Sequence, residues 1–288
     1  MMPQLIINAD DFGQAPGICR AVAELHDAGA LTSATLMAGG VAFDEAVSIA
    51  KQRPNLGVGC HIVLLDGQPM LPPGEVASLL GPDGRSFRPT LGSFVWALAA
   101  GKAREEEIER EATAQIRRLQ DAGITVTHVD THKHTHMFPS VLRPVLAAAK
   151  VCGVYRVRNS FEQPWSLQAS QADALRALEV RGLRARFLSR FRRQTQQNHI
   201  FAPDGCIGVA ATGRVNALMI EAWMKAMPPG VWEIACHPGY RDSILASQRT
   251  RLQASREEEL HGLMAILPRI QTLRPDIELT HFGKIAVQ

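Results

Sequence analysis

Four short polar clusters in this chain carry the side chains that hydrolytic chemistry needs, and each follows an apolar run. The first is Asn8-Ala9-Asp10-Asp11-Phe12-Gly13. Two adjacent carboxylates at a strand end repel each other unless a cation or hydrogen-bond donors absorb the charge. A divalent metal held by one of them leaves the other free as a base. Taken alone, the pair also fits a loop in which an aspartate caps a helix. The second cluster, Gly59-Cys60-His61, ends in a histidine that by itself reads as a hydrogen-bonded core residue.

The third cluster runs Thr127-His128-Val129-Asp130-Thr131-His132-Lys133-His134-Thr135-His136. Four histidines and one aspartate within nine residues exceed what packing explains, because every buried imidazole needs a polar partner. A metal or a proton-transfer site supplies such partners, whereas a surface loop is the plainer alternative. If the segment is extended, Asp130, His132, His134 and His136 share one face. If it turns helical after Asp130, His132 and His136 lie one turn apart. Both geometries can hold a metal, so the spacing does not select the ligands. The fourth cluster, Ala235-Cys236-His237-Pro238-Gly239-Tyr240-Arg241-Asp242, sets a histidine before a Pro-Gly turn, where a general acid or a group supporting a ligand would stand.

Elements able to position these clusters are legible in the periodicity. Short apolar, β-branched runs predict strands at Leu5–Ala9, Ser33–Met37, Leu56–Val63, Thr125–Asp130, Val154–Val157, Ile207–Ala210, Val231–Cys236 and Ile277–His281. Apolar residues at three- and four-residue steps predict helices at Gly17–Ala28, Phe43–Lys51, Glu105–Ala122, Pro139–Val151, Asn216–Met227 and Arg256–Thr272. This alternation is the pattern of an α/β fold with a parallel sheet. No Ser/Gly-rich linker divides it, so the expectation is a (β/α) barrel, distorted or incomplete, forming a single domain over residues 1–288. A barrel gathers functional groups at the C-terminal ends of its strands, where all four clusters fall.

Two stretches interrupt the rhythm. Asp66 to Leu91 is rich in Pro and Gly and follows the third strand, as a substrate-binding loop would. Ala174 to Arg193 reads as a helix with seven arginines beside Leu175, Leu178, Leu183, Phe187, Leu188 and Phe191. A solvated helix packing its apolar side on the barrel is the favoured reading, and a face for an acidic partner or a membrane surface is the alternative.

Composition narrows the classes. A net charge of +3 over 288 residues gives no reason to expect nucleic acid. Five cysteines, widely spaced and without a CxxC pair, suit a reduced compartment. No signal-peptide pattern opens the chain and no apolar run reaches transmembrane length, so the expected location is cytoplasmic. There is no GxSxG elbow, no P-loop lysine motif and no GxGxxG after the first strand.

In order and spacing, Asn8 to Gly13, Gly59 to His61, Thr127 to His132 with His136-Met137-Phe138-Pro139, and Cys236-His237-Pro238-Gly239 resemble the YdjC-like carbohydrate deacetylase family. That family includes chito-oligosaccharide deacetylases and a branch associated with hopanoid lipid biosynthesis. The stretch Phe201 to Gly208 through Ala211-Thr212-Gly213 resembles the latter branch. The resemblance implies a barrel that hydrolyses the N-acetyl group of an amino sugar with one divalent metal ion. Matched residue by residue, it implies Asp11, His61 and His132 as metal ligands, Asp10 as the base and His237 as the general acid. Asp130, His134 and His136 are then candidates for groups around the ligands or in contact with substrate. Lys133 departs from the histidine that the chito-oligosaccharide enzymes tend to carry there.

The expected cofactor is Zn²⁺, which suits two imidazoles and a carboxylate, or Mg²⁺ in a site completed by water. The expected partner is an N-acetylated amino sugar or glycolipid, with no nucleic acid. Peripheral contact at the inner membrane face and assembly into a homo-oligomer are both compatible with the sequence. The competing classes are a carbohydrate-binding barrel with a structural metal and a metal-dependent phosphoesterase. The first gains nothing from a second carboxylate beside the ligand, and the second calls for more basic residues or a second metal.

Overall fold

The apolar runs pair into one parallel sheet because most are buried on both faces, as strands covered by helices must be. The computed structural model describes residues 2–170 and 173–286. Its strands are β1 (Gln4–Phe12), β2 (Ser33–Leu36), β3 (Gly57–Ile62), β4 (Val129–Thr131), β5 (Gly205–Ile207), β6 (Val231–Cys236) and β7 (Glu278–Thr280). Around them lie α1 (Pro16–Asp27), α2 (Phe43–Lys51), α3 (Leu91–Ala99), α4 (Glu105–Asp121), α5 (Pro139–Val151), α6 (Pro164–Ala169), α7 (Ala174–Gln197), α8 (Ala217–Ala226), α9 (Ser243–Ser247), α10 (Ser255–Ile266) and α11 (Ile270–Leu273).

The sheet order is β4-β3-β2-β1-β6-β5, and β7 pairs with the first residues of β1. Every pairing is parallel. Beyond edge strand β4, isolated parallel bridges join Val129 to Val157 and Arg156 to Phe201, and Phe201 precedes edge strand β5. The result is a distorted (β/α) barrel. Its wall is thinnest where a strand was predicted at Val154–Val157, and only Arg156 and Val157 of that run form bridges. The strand predicted at Thr125–Asp130 is shorter and later, at Val129–Thr131.

Sequence explains most of the helix boundaries. Pro16, Pro139 and Pro164 open α1, α5 and α6, where a missing N–H costs nothing. Three glutamates in the first turn of α4 face the positive end of its dipole. The helix predicted at Arg256–Thr272 breaks in two around Pro268, which cannot donate to the preceding turn. Helices α3, α6 and α9 lie outside the predicted set; α3 starts where Thr90 Oγ1 accepts the Ser93 N–H at 3.1 Å.

The segment after β3 carries only short 3-10 turns at Pro73–Glu75 and Ala77–Leu79, as its Pro and Gly content suggested. Helix α7 buries Ala177, Val180, Leu188 and Phe191 against the body, the expected packing, but leaves Leu175 and Leu178 68% and 66% exposed. All five cysteines are free and buried. No helix among the described residues is long and apolar enough to cross a membrane.

Candidate active site

The C-terminal ends of β1, β3, β4 and β6 open into one cleft of about 1150 Å³ whose wall includes Asp10, Asp11, His61, His132, His134 and His237. The loop after β3 forms one rim through residues from Asp66 to Leu91, and Gln248 to Leu252 contribute to the wall. A groove of about 530 Å³ along the outer side of α4 contains none of these groups.

Neighbouring residues of a regular strand point to opposite faces, so Asp10 and Asp11 could not both reach one site from an unbroken β1. The register between β1 and β2 shifts between Ala9 and Phe12, and Asp11 takes a left-handed φ of 62°. This bulge turns both carboxylates toward the cleft. Asp11 Oδ1 then lies 3.5 Å from His61 Nε2 and 3.5 Å from His132 Nδ1, and the two nitrogens are 3.3 Å apart. The three ligand atoms all fall within 4.8 Å of one another.

The outer oxygen of Asp11 is taken by Arg256 Nη2 at 2.5 Å, but the buried Oδ1 has no hydrogen-bond partner. A buried acceptor aimed at two imidazole nitrogens is what a cation would satisfy. The donor set therefore fits a divalent metal. Burial is the largest influence on the Asp11 carboxyl and raises it, yet Arg256, His132 and His61 together hold it well below the usual carboxylate range.

His61 Nδ1 donates to Asp130 Oδ1 at 2.7 Å, because His61 and Asp130 are register partners across β3 and β4. Such a carboxylate fixes the ring so that Nε2 faces the ligand position. Burial alone would lower the His61 ring, but Asp130, Asp10 and Asp11 outweigh it and push it up to about 9. Negative charge at this point draws a proton or a metal.

Asp10 has different surroundings. Arg158 donates to both of its oxygens, at 2.6 and 2.8 Å, and Asn8 Nδ2 donates to Oδ1 at 3.0 Å. Arg158 is fully buried and also meets Asp130 at 2.5 Å and Glu233 at 2.8 Å. One guanidinium thus gathers three carboxylates. Asp10, His61 and Asp130 form a second group with ligand-like spacing, but Arg158 already supplies its cation. Burial raises the Asp10 carboxyl most strongly, and Arg158 more than cancels it, so Asp10 stays lowered and ionised. Burial pushes Glu233 up to about 7.

His237 follows β6 and sets Nε2 3.7 Å from Asp10 Oδ2. Its backbone N–H donates to Glu259 Oε2 at 2.7 Å, and its buried Nδ1 lies 4.0 Å from the same oxygen. Burial lowers the His237 ring to about 4 and raises Glu259 to about 8. The resting ring is neutral.

The histidine-rich cluster adopts neither geometry expected from its spacing. Strand β4 ends at Thr131, and Lys133 and His134 both take left-handed φ of 54° in a tight 3-10 turn over His132–Met137. This turn separates the histidines. His132 joins Asp11 and His61; His134 faces the cleft; His136 is buried between Thr131 and the carbonyl of Arg158. His128 is outside the site, stacked on Phe282 with centroids 3.8 Å apart, and burial lowers it to about 3. Lys133 pairs with Asp66 at 2.7 Å, tying the turn to the rim loop.

Sequence reasoning missed Thr35, Arg158, Glu233, Arg256 and Glu259. Thr35 Oγ1 sits among Asn8, Asp10, His61 and Asp130. Arg158 directly follows a predicted apolar strand, a signal of the kind used for the other clusters. Nothing in the charged pattern of α10 marks Arg256 or Glu259.

The profile of the family described as YdjC-like protein matches residues 4–266. A carbohydrate deacetylase of Brevibacillus brevis is 40% identical over 254 residues, covering 86% of this chain and 88% of that protein. A carbohydrate deacetylase of Listeria monocytogenes is 42% identical over 142 residues, 49% of this chain and 55% of that protein. The crystal structure of a candidate cellobiose-phosphate cleavage protein from Enterococcus faecalis superposes with a TM-score of 0.80 at 26% identity, covering 99% of this chain and all of that one.

Proposed function

This chain belongs to the YdjC-like family, and from that premise we propose that it is a carbohydrate deacetylase, hydrolysing the N-acetyl group of an amino sugar with one divalent metal ion. The reading takes residues 1–288 as one deacetylase domain. The observation that carries it is the division of labour within Asp10-Asp11. Asp11 keeps a bare oxygen beside two imidazoles, while Asp10 is held by Arg158 with an oxygen turned to His237.

A divalent cation, Zn²⁺ or Mg²⁺, held by Asp11, His61 and His132 would polarise the amide carbonyl and make water a better nucleophile at neutral pH. Asp130 orients His61, and Arg256 fixes Asp11 so that Oδ1 stays inward. Asp10, ionised at working pH, accepts the proton of the attacking water. His237, neutral at rest, is the nearest ring to Asp10; it takes that proton from Asp10 and passes it to the nitrogen of the departing amine. The products are acetate and the free amino sugar, and the proton lost by water ends on the amine.

Two features disfavour the rivals. A metal kept only for structure has no use for Asp10 beside it. A two-metal phosphoesterase would need Asp10 and Asp130 free, and both are committed to Arg158. Within amino sugars, the substrate is a chito-oligosaccharide or a lipid-borne sugar such as an N-acetylglucosaminyl hopanoid. What supports the lipid is α7, which exposes Leu175 and Leu178 beside Arg176 of the cleft wall.

The test is acetate release from N-acetylated sugars and glycolipids, with a metal-stripped control and a phenyl phosphate ester in parallel. Acetate release that depends on metal is the expected result. Phosphate release without acetate, or sugar binding with no turnover, would overturn the reading.

A further inference from the structure

Hydrogen bonding fixes which nitrogen of His134 carries its proton. The order of donors can be followed from β4 outward. The backbone N–H of His136 donates to Thr131 Oγ1 at 3.0 Å, and Thr135 Oγ1 donates to the same oxygen at 3.0 Å. With two donors already on it, Thr131 Oγ1 turns its own proton toward His136 Nδ1 at 2.7 Å. The other nitrogen, His136 Nε2, faces the carbonyl oxygen of Arg158 at 3.1 Å. A carbonyl oxygen only accepts, so the His136 proton is on Nε2.

Ser160 comes next. Its Oγ lies 3.1 Å from His136 Nε2, which already bears a proton, and 3.1 Å from His134 Nδ1. The hydroxyl therefore sends its proton to His134 Nδ1. In a neutral imidazole the second nitrogen then carries the hydrogen. His134 Nε2–H meets no protein acceptor among the described residues, and His134 is half-buried in the cleft wall.

Two further observations make this donor more than incidental. His134 and Lys133 are both held at left-handed φ, a conformation that costs a non-glycine residue about 1 kcal/mol or more and persists where the surroundings enforce it. The relay that orients the ring ends on the carbonyl of Arg158, the residue that grips Asp10. The donor is thereby tied to the frame of the site.

We infer that His134 is a substrate-binding residue that donates Nε2–H to an acceptor oxygen of the bound sugar. The inference rests on the proposed function for the identity of that ligand and deepens it by naming a contact. Ser160 and His136 are positioning residues, which act by fixing the ring's tautomer.

The experiment uses the full chain loaded with metal and di-N-acetylchitobiose as probe. His134→Phe keeps a ring of similar size but has no donor. It should raise KM and the dissociation constant by about 2- to 10-fold, the weight of one neutral hydrogen bond, with kcat and metal content close to the parent. His134→Gln, which carries an amide donor, should recover part of the loss. Ser160→Ala should give a smaller effect in the same direction.

An unchanged KM and dissociation constant in His134→Phe with metal in place would overturn the inference, as would a loss confined to kcat. Nitrogen-15 spectra of the histidine rings supply a readout free of turnover: Nδ1 of His134 should be the bare nitrogen in the parent protein at neutral pH. A proton found on Nδ1 overturns the inference whatever the substrate. A parent protein that neither binds nor deacetylates any N-acetyl sugar overturns the proposed function instead.

Discussion

Replacing Asp10 by asparagine separates proton transfer from metal binding, and the structure sets the size of each effect. Asp10 accepts three close hydrogen bonds, two from Arg158 at 2.6 and 2.8 Å and one from Asn8 at 3.0 Å. Asparagine can keep its oxygen toward Arg158 Nη2 and Asn8, but its amide nitrogen then confronts Arg158 Nη1, donor against donor. One charge-assisted hydrogen bond is lost, worth about 1.5–3 kcal/mol, while Asp130 and Glu233 still neutralise the guanidinium. For a domain of this size that lowers Tm by roughly 2–4 °C per kcal/mol, so the variant stays folded at room temperature. None of the three proposed ligands changes, so metal content should be that of the parent.

Turnover should nevertheless fall by about two to four orders of magnitude, because an amide cannot take the proton. Acetate release under saturating sugar, elemental analysis and a thermal melt, all on one preparation, give the three numbers. Asp11→Asn should instead lose metal, since a neutral amide oxygen is a poorer ligand. Near-normal kcat in Asp10→Asn at full metal occupancy would refute the assignment of the base and shift attention to His237.

Arg158→Met should be among the most destabilising single changes in the chain. It leaves Asp10 and Asp130 buried without their cation, a loss of about 3–5 kcal/mol readable from urea denaturation. Glu259 predicts a pH dependence. Its carboxyl is raised from 4.5 to about 8 by burial, so the folded state holds a proton that the unfolded chain has released. That contribution to stability is complete below about pH 4.5, declines as pH rises through the interval and is gone above about 8, a span on the order of a few kcal/mol. Urea midpoints across that range should fall less steeply in Glu259→Gln than in the parent. Equal slopes would show that Glu259 titrates normally. If the substrate is lipid-borne, replacing the exposed Arg181, Arg186, Arg190 and Arg193 of α7 with glutamine should weaken binding to anionic vesicles by about 1 kcal/mol per residue, measured by sedimentation.

The sequence by itself determined most of the order of strands and helices, because continuous apolar runs mark strands buried on both faces and period-3.6 burial marks helices, and both are written locally. Helices α2 and α5 and strand β6 fall where the pattern predicts them. It also marked the strand ends at Asp10-Asp11, His61 and His237, since polar residues directly after apolar runs have few other reasons to be there. Tertiary structure decided the rest. The facing of Asp11 depends on a bulge and one left-handed residue, which the letters Asp-Asp do not encode. The separate fates of His132, His134 and His136 depend on two more left-handed residues, held by the Lys133–Asp66 pair and the Ser160 relay. Arg158 sits 148 residues from Asp10, and Arg256 sits 245 residues from Asp11. Periodicity reports only which face of an element is buried. Which buried charge answers which is settled when the barrel brings distant strand ends together, because a carboxylate out of water must find a cation wherever the chain can supply one.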